Sequence, residues 1–261
     1  MKPLVVISKE NPASQNIKSA LFELESLNEV GEGFWSAKEF DIAEYSGSIV
    51  EIVPKHDAQY YIFASTHKSA SQTPCLTVHT PGNWGSADLG GKPKTLNIAY
   101  ASKVKAIAQS LAKHAAGLEG WQVSVEVDHH GPSLQRPVVF AEIGSSEREW
   151  QNAKAGIAVA QAILDAIRSN RIFPSFVGFG GTHYAPKFTP KIIGSEVAFG
   201  HIISGYAIER DGCDLQMVLQ AFEKNVEKPK GAMVDWKGLK KEAKDALISH
   251  LESLGIEWQK A

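Results

Sequence analysis

Short β-branched runs alternate along this chain with stretches whose apolar residues recur every three or four positions, the marks of strands and amphipathic helices. Leu4–Ile7 reads as a first strand, with Asn11 or Ser14 placed to cap a helix after it. In that helix Ile17, Leu21, Leu24 and Leu27 share one face. Ile49–Val53, Tyr60–Ala64 and Leu76–Val78 are further strand candidates. A second helix is predicted over Tyr100–Ala116, where Val104, Ile107, Ala108, Leu111 and Ala115 form the apolar stripe. Two strands follow, Val123–Val127 and Val138–Ile143. A long helix, Ser146–Ser169, then opens on a Ser146/Glu149 capping box, and Ser175–Phe179 is a strand ending in glycine. A mixed region runs to Arg210, before helices near Asp214–Lys224 and Trp236–Leu254.

This alternation predicts an α/β fold around a mixed or mostly parallel sheet. There is no internal repeat and no low-complexity tract. The best linker candidate, Glu227 to Gly231, separates only a terminal helix. The expectation is therefore one catalytic domain over 1–261, with 227–261 a helical appendage.

Chemistry gathers where the strands end. Leu76–Val78 leads into His79 and then TPGNWG; Val123–Val127 leads into Asp128, His129 and His130; Val138–Ala141 leads into Glu142; and Phe176–Phe179 leads into Gly180, Gly181, Thr182 and His183. In open α/β sheets such loops converge outside the carboxyl ends of strands, where ligands bind. Imidazoles and a carboxylate brought together there suit metal-assisted or acid–base hydrolysis. Adjacent residues on a strand point to opposite faces, so only one of His129 and His130 is expected in the site, the other orienting a neighbour. Glu142 is either a general base or a carboxylate stabilised at the start of the long helix. His201, between glycines, is an additional candidate, whereas His56, His67, His114 and His250 read as surface or helix-face residues. No GxSxG elbow, HExxH helix, phosphate loop or dinucleotide fingerprint occurs, which turns the reading away from serine and redox chemistry.

Composition narrows this only modestly. The chain has 261 residues, 43% of them hydrophobic and 21% charged, and a net charge of -2, so it can bury a large core and is not a strongly basic RNA-coating protein. Cys75 and Cys213 read as reduced, partly buried thiols. Leu4–Ile7 is too short for a signal-peptide core and no run is long enough for a membrane span, so a cytoplasmic protein is expected, with no membrane and no obligate protein partner. Lysines at 92, 94, 103, 105, 187 and 191 flank the histidine loops and are placed to meet a phosphate backbone. The carboxy-terminal lysines are interspersed with acids and read as a solvated face.

The segments HTPGNWGSADLGGKP (His79–Pro93), HHGP (His129–Pro132), FAEIGSSEREW (Phe140–Trp150), GGTHYAPKFT (Gly180–Thr189) and GHIISGYAIE (Gly200–Glu209) resemble the archaeal and plant D-aminoacyl-tRNA deacylases. The resemblance spans about half the chain, in the right order. It implies a three-layer core related to peptidyl-tRNA hydrolases and nucleoside phosphorylases, zinc dependence, and hydrolysis of the ester between a D-amino acid and tRNA. Asp128 and Thr182 depart from that pattern; Asp128 would strengthen metal binding or accept a hydrogen bond from an imidazole. The resemblance does not fix individual ligands; from the residues themselves His79, His129 and His183 are expected to bind the metal or position water, with His130 catalytic and Glu142 acting as base or as an orienter of the ligands. Backbone N–H groups of Gly180 and Gly181 are the expected oxyanion hole, and Asn83, Trp84, Lys187 and His201 the expected substrate contacts. A related amidase or peptidyl-tRNA hydrolase, an RNA-binding protein without turnover, and a structural zinc protein are the alternatives.

Overall fold

A computed structural model describes the whole chain, Met1–Ala261. Strand β1 (Leu4–Ser8) is buried throughout. The Asn11 side chain accepts the Ser14 N–H and starts α1 (Pro12–Leu24), with proline in the first turn, where a missing N–H is harmless. Leu27 lies beyond the helix yet packs on the core, and Leu24 is exposed. An antiparallel excursion, β2 (Asn28–Gly31) and β3 (Phe34–Ser36), then returns along β4 (Asp41–Tyr45). Ile49–Val53 forms no strand: it is a turn that drops Ile49 and Ile52 onto the sheet and leaves Val53 in solvent.

Next come β5 (Tyr61–Lys68), β6 (Cys75–His79), the short pair β7 (Gly82–Asn83) and β8 (Thr95–Leu96), α2 (Ala101–His114), β9 (Gln122–Val125) and β10 (Val138–Ser145). The single helix expected over Ser146–Ser169 is two, α3 (Glu147–Trp150) and α4 (Ala153–Arg168). Asn152 breaks it by turning extended and accepting the Ala155 N–H, so a new helix begins there. Ser146 bonds the Glu149 carboxylate and no backbone N–H of the helix, so the capping box does not form. The remainder is β11 (Ser175–Phe179), α5 (Thr189–Gly194), β12 (Ala198–Ile203), α6 (Gly205–Asp211), α7 (Leu215–Glu223), β13 (Ala232–Val234), α8 (Lys241–Ser253) and β14 (Trp258–Lys260).

The architecture is α/β with a largely parallel central sheet flanked by helices, as the alternation predicts. Eight strands run in the order β2-β3-β4-β1-β5-β10-β6-β9, with β4, β1, β5 and β10 mutually parallel and β6 reversed against β10. Alternate residues serve two faces. Val5, Ile7, Ile62, Ala64, Val139 and Ala141 pack with α1, α2 and α4. Leu4, Val6, Tyr61, Phe63, Val138 and Phe140 pack with Ile49, Ile52 and Ala58 on the other side. A second, all-parallel sheet, β12-β11-β13-β14, packs Val177, Phe179, Ile203 and Val234 with α7 and α8.

The stretch 227–261 supplies two strands of that sheet as well as α8. Its start is pinned, because the Glu227 carboxylate accepts the first N–H groups of α2, at Ala101 and Ser102.

Candidate active site

The site grows from one face of the central sheet. On β5 the residues Phe63, Ser65 and His67 alternate onto the same side; opposite them on β10 stand Phe140, Glu142 and Gly144. The next strand, β6, brings Cys75, Thr77 and His79 to the same row, and β9 adds Gln122 and Ser124, with Glu126 continuing the period. The apolar end of the row is the stacked pair Phe63–Phe140, and the rest is polar. Gly144 makes room for His67, since a Cβ there would stand 2.7 Å from the imidazole Cδ2. Because β6 and β9 run against β5 and β10, the side chains meet over the face of the sheet as well as at its edge.

Two loops close over this row. Val127 N–H donates to the His183 carbonyl, which ties the loop after β11 to the strand bearing Glu126. Gly82 N–H donates to the His129 carbonyl. At Gly131 the backbone passes so near Gly90 and Gly91 that a Cβ would fall 2.3 Å from the Gly91 nitrogen. His130 adopts a positive φ of 49°, a conformation that costs energy in a non-glycine residue and is held here by its surroundings.

Glu126 is the centre of the cluster, and reading only strand ends passed over it. Its side chain is fully enclosed, with His183 Nε2 at 2.6 Å, His67 Nδ1 at 3.3 Å, His129 Nε2 at 3.5 Å and His79 Nδ1 at 3.9 Å. None of these approaches is aligned as a hydrogen bond, so both carboxylate oxygens and His79 Nδ1 are buried without a partner. His67, expected on the surface, is the second omission: it lies inside, with Nε2 2.9 Å from the Tyr184 hydroxyl and Nδ1 3.7 Å from Glu142. Glu126 was legible in the period-two placement of polar residues in VSVEV, and His67 less sharply in FASTH, where Thr66 interrupts the alternation. His56, His114 and His250 do lie outside the cluster, against Phe34, Asp165 and the Cys213 carbonyl respectively.

The electrostatics divide the imidazoles. Burial works against a charged His67, yet Glu126 and Glu142 outweigh it and push its pKa up to about 12. Burial drives His79 well below its ordinary value and His130 down to about 3, with neighbouring imidazoles adding to the effect; His129 is lowered too. Burial alone would raise Glu126, but the close imidazoles of His183 and His67 hold it well below the usual carboxylate range. Glu142, buried beside that negative charge, is pushed up to about 7. The result is a charged carboxylate beside the neutral ring nitrogens of His79, His129 and His130, the protonation state a borderline metal cation requires of its ligands, with a protonated His67 on its other side.

The expected residues fall into place unevenly. His79, His129, His130, His183 and Glu142 all converge, and both members of the His129–His130 pair enter the cluster. His129 Nδ1 donates to the Val127 carbonyl at 2.8 Å and His130 Nδ1 to the Gly131 carbonyl at 2.6 Å, leaving each Nε2 lone pair turned inward. His79, His129 and His130 bring one ring nitrogen each within 4.8 Å of one another; His183 groups instead with His67 and Glu126. The Gly180 and Gly181 N–H groups are not an oxyanion hole, because they already donate to Ile203 and Gly238 carbonyls. His201 touches no cavity wall: it is fully buried, bonded to Asp128 and to the Lys224 carbonyl, so it braces the loop. Asp128 thus takes the imidazole-binding role. Asn83 and Trp84 line a cavity that reaches His129 and His130, while their polar atoms bond Gly90, Lys92 and Gly212 carbonyls. Lys187 is exposed. Lys103 and Lys105 are not phosphate contacts: both are buried, and each ammonium binds the last carbonyls of a helix, α4 and α5 respectively.

With the geometry in place, comparison with known proteins is informative. Residues 54–259 match the model of the D-aminoacyl-tRNA deacylase family. A D-aminoacyl-tRNA deacylase of Pyrococcus furiosus is 34% identical over 272 residues, covering 98% of this chain and 99% of the relative. Another from Thermococcus kodakarensis is 42% identical over 199 residues, or 75% of this chain and 71% of its own. Among solved structures, a conserved protein of unknown function superposes with a TM-score of 0.90 at 32% identity, covering 99% of this chain and 95% of that one. The matched span contains every residue of the histidine cluster.

Proposed function

This chain belongs to the D-aminoacyl-tRNA deacylase family, and from that premise we propose that its histidine face hydrolyses the ester between a D-amino acid and tRNA with the help of zinc. The observation that carries the reading is the buried Glu126 carboxylate, ringed by imidazoles and left without a hydrogen-bonded partner, behind the His129 ring that lines an open cavity. Buried polar atoms are satisfied almost everywhere in proteins, so a group of orphans marks a place kept for a ligand. His79, His129 and His130 would hold the metal through ring nitrogens, with Glu126 beside them and His67 and His183 behind. When bound, zinc supplies Lewis acidity to the ester carbonyl and to an attacking water.

The protein's own groups do the rest. Glu142, its pKa pushed up to about 7 by burial, is poised to take a proton from water at neutral pH and return it to the departing ribose oxygen. Protonated His67 sits between Glu142 and Glu126 and fixes both carboxylates, and Tyr184 fixes His67. The carbonyl bonds of His129 and His130 set the ring tautomers before substrate arrives. No helix is long and apolar enough to cross a membrane; the cytoplasm as the place of action is supported by the tRNA substrate that the family acts on.

Release of D-tyrosine from D-Tyr-tRNA, against L-Tyr-tRNA, with added zinc and with chelator, tests the reading. D-selective release abolished by chelator supports both reaction and metal. Release indifferent to chelator removes the zinc and leaves the acid–base groups, and no release from folded, zinc-supplied protein removes the activity.

A further inference from the structure

The cavity against His129 and His130 has a rim that the hydrolytic chemistry does not need. It is bounded by the loop from Gly82 to Leu89, by Asp128 to His130, and by Tyr206, Ala207 and Arg210 of α6, and it encloses about 170 Å³. Ligand sites for whole drug-sized molecules run to roughly 300–1,000 Å³, so this one holds only part of a larger ligand. Leu89 and Tyr206, both on its rim, are 62% and 45% exposed. Two large, exposed side chains lining one opening suit a flat apolar partner. Tyr206 is held there, its hydroxyl 3.5 Å from His183 Nδ1.

The charged groups on the rim are already engaged. Arg210 grips Asp211 through both Nε and NH2, and Asp88 accepts the Ser86 hydroxyl. The rim therefore offers stacking surface in preference to a phosphate clamp. An ester held at the histidines has an aminoacyl group on one side and a ribose on the other, with the base one ribose away. Only the nucleoside side is joined to the rest of the tRNA, so its seat must open to solvent. This cavity does.

We infer that the cavity seats the terminal nucleoside of the tRNA, its base stacked between Tyr206 and Leu89; this rests on the deacylase reading above. Stacking on one aromatic side chain is sequence-tolerant and contributes on the order of tenfold in affinity per base. Tyr206 and Leu89 are then binding residues for the nucleoside, distinct from the groups that handle the ester.

The test compares kcat/KM for D-tyrosyl-adenosine and for D-tyrosine ethyl ester, with zinc present. The wild-type protein should prefer the nucleoside ester. Tyr206→Ala should cut that preference by about tenfold, mainly through KM, and Leu89→Ala by about threefold, whereas Tyr206→Phe keeps the ring and most of the preference. Inhibition by free adenosine should weaken in step with Tyr206→Ala. Equal losses on both esters would show that Tyr206 only positions His183, and an unchanged preference would also overturn the inference. Cleavage of the ethyl ester with no preference in the wild type sinks the nucleoside seat alone; cleavage of neither ester sinks the deacylase reading with it.

Discussion

Two buried carboxylate–imidazole groups stand two residues apart on the same stretch of chain and have opposite fates. Asp128 is saturated: Oδ1 accepts Ile202 N–H at 2.8 Å, Oδ2 meets His201 Nδ1 at 2.5 Å, and His201 Nε2 reaches the Lys224 carbonyl at 2.9 Å. Glu126 has more imidazoles around it and no completed hydrogen bond. The side-chain chemistry is the same, so residue type does not decide between structure and function. Completeness does. A closed network stabilises the position of what surrounds it; an open one carries a desolvation cost that a ligand can relieve.

The largest effect should come from the open group. Glu126→Gln keeps the shape and removes the charge, and kcat/KM on D-aminoacyl-tRNA should fall by about 10³-fold, within the range seen for acid–base groups. The denaturation midpoint should fall only modestly, because Glu142 still faces the protonated His67 when the Glu126 charge is gone. Asp128→Ala should do the reverse, costing about 3–5 kcal/mol of stability in urea unfolding by stranding His201 and the Ile202 N–H. If Asp128→Ala unfolds like the wild type while Glu126→Gln melts early, the assignment of the two groups has to be exchanged.

That division was only half visible in the sequence. The His79 and His129–His130 loops converge because β6 and β9 are neighbours, whereas His183 arrives from the second sheet through the Val127–His183 backbone bond, which the alternation of elements does not show. Glu126 was legible as a polar position in strict period two within VSVEV, and His67 less sharply because Thr66 interrupts the alternation, but a reading confined to strand ends passes over residues inside them. The strands from Asn28 to Ser36 were hidden, since they are exposed or half-buried and carry little apolar alternation. The break at Asn152 was hidden for the opposite reason: the helical period runs through it undisturbed, and only the Asn152 side chain ends the turn. Nothing local could show that Gly180 and Gly181 spend their N–H groups on Ile203 and Gly238, or that Asp128 would find His201 and Lys224 far along the chain. These are tertiary pairings, decided by the second sheet.

Metal binding sharpens the comparison further. Zinc titrated into metal-free protein should bind with an affinity that Glu126→Gln lowers by about 10–100-fold, the usual cost of losing a group beside the ligands. His201→Gln, in the closed group, should leave that affinity within about threefold so long as the protein is folded, as expected of sites that share no partner. Calorimetry on both variants reads this without any tRNA. Equal weakening in the two would mean that the groups are coupled, and that saturation does not separate them.

The smallest effect probes the boundary of the open group. Protonated His67 donates one hydrogen bond from Nε2 to the Tyr184 hydroxyl, and His67 in turn touches Glu126 and Glu142. Tyr184→Phe removes that bond but leaves the ring, and a hydrogen bond from a charged donor contributes about 1.5 kcal/mol net at the lower end of its range. Turnover should therefore fall by about tenfold, with the melting temperature little changed, because Tyr184 is half-buried and water can replace its hydroxyl. A loss approaching that of Glu126→Gln would mean the opposite arrangement: a network as tightly closed around His67 as the one around Asp128, in which the apparent openness of Glu126 is held in place by its outermost member.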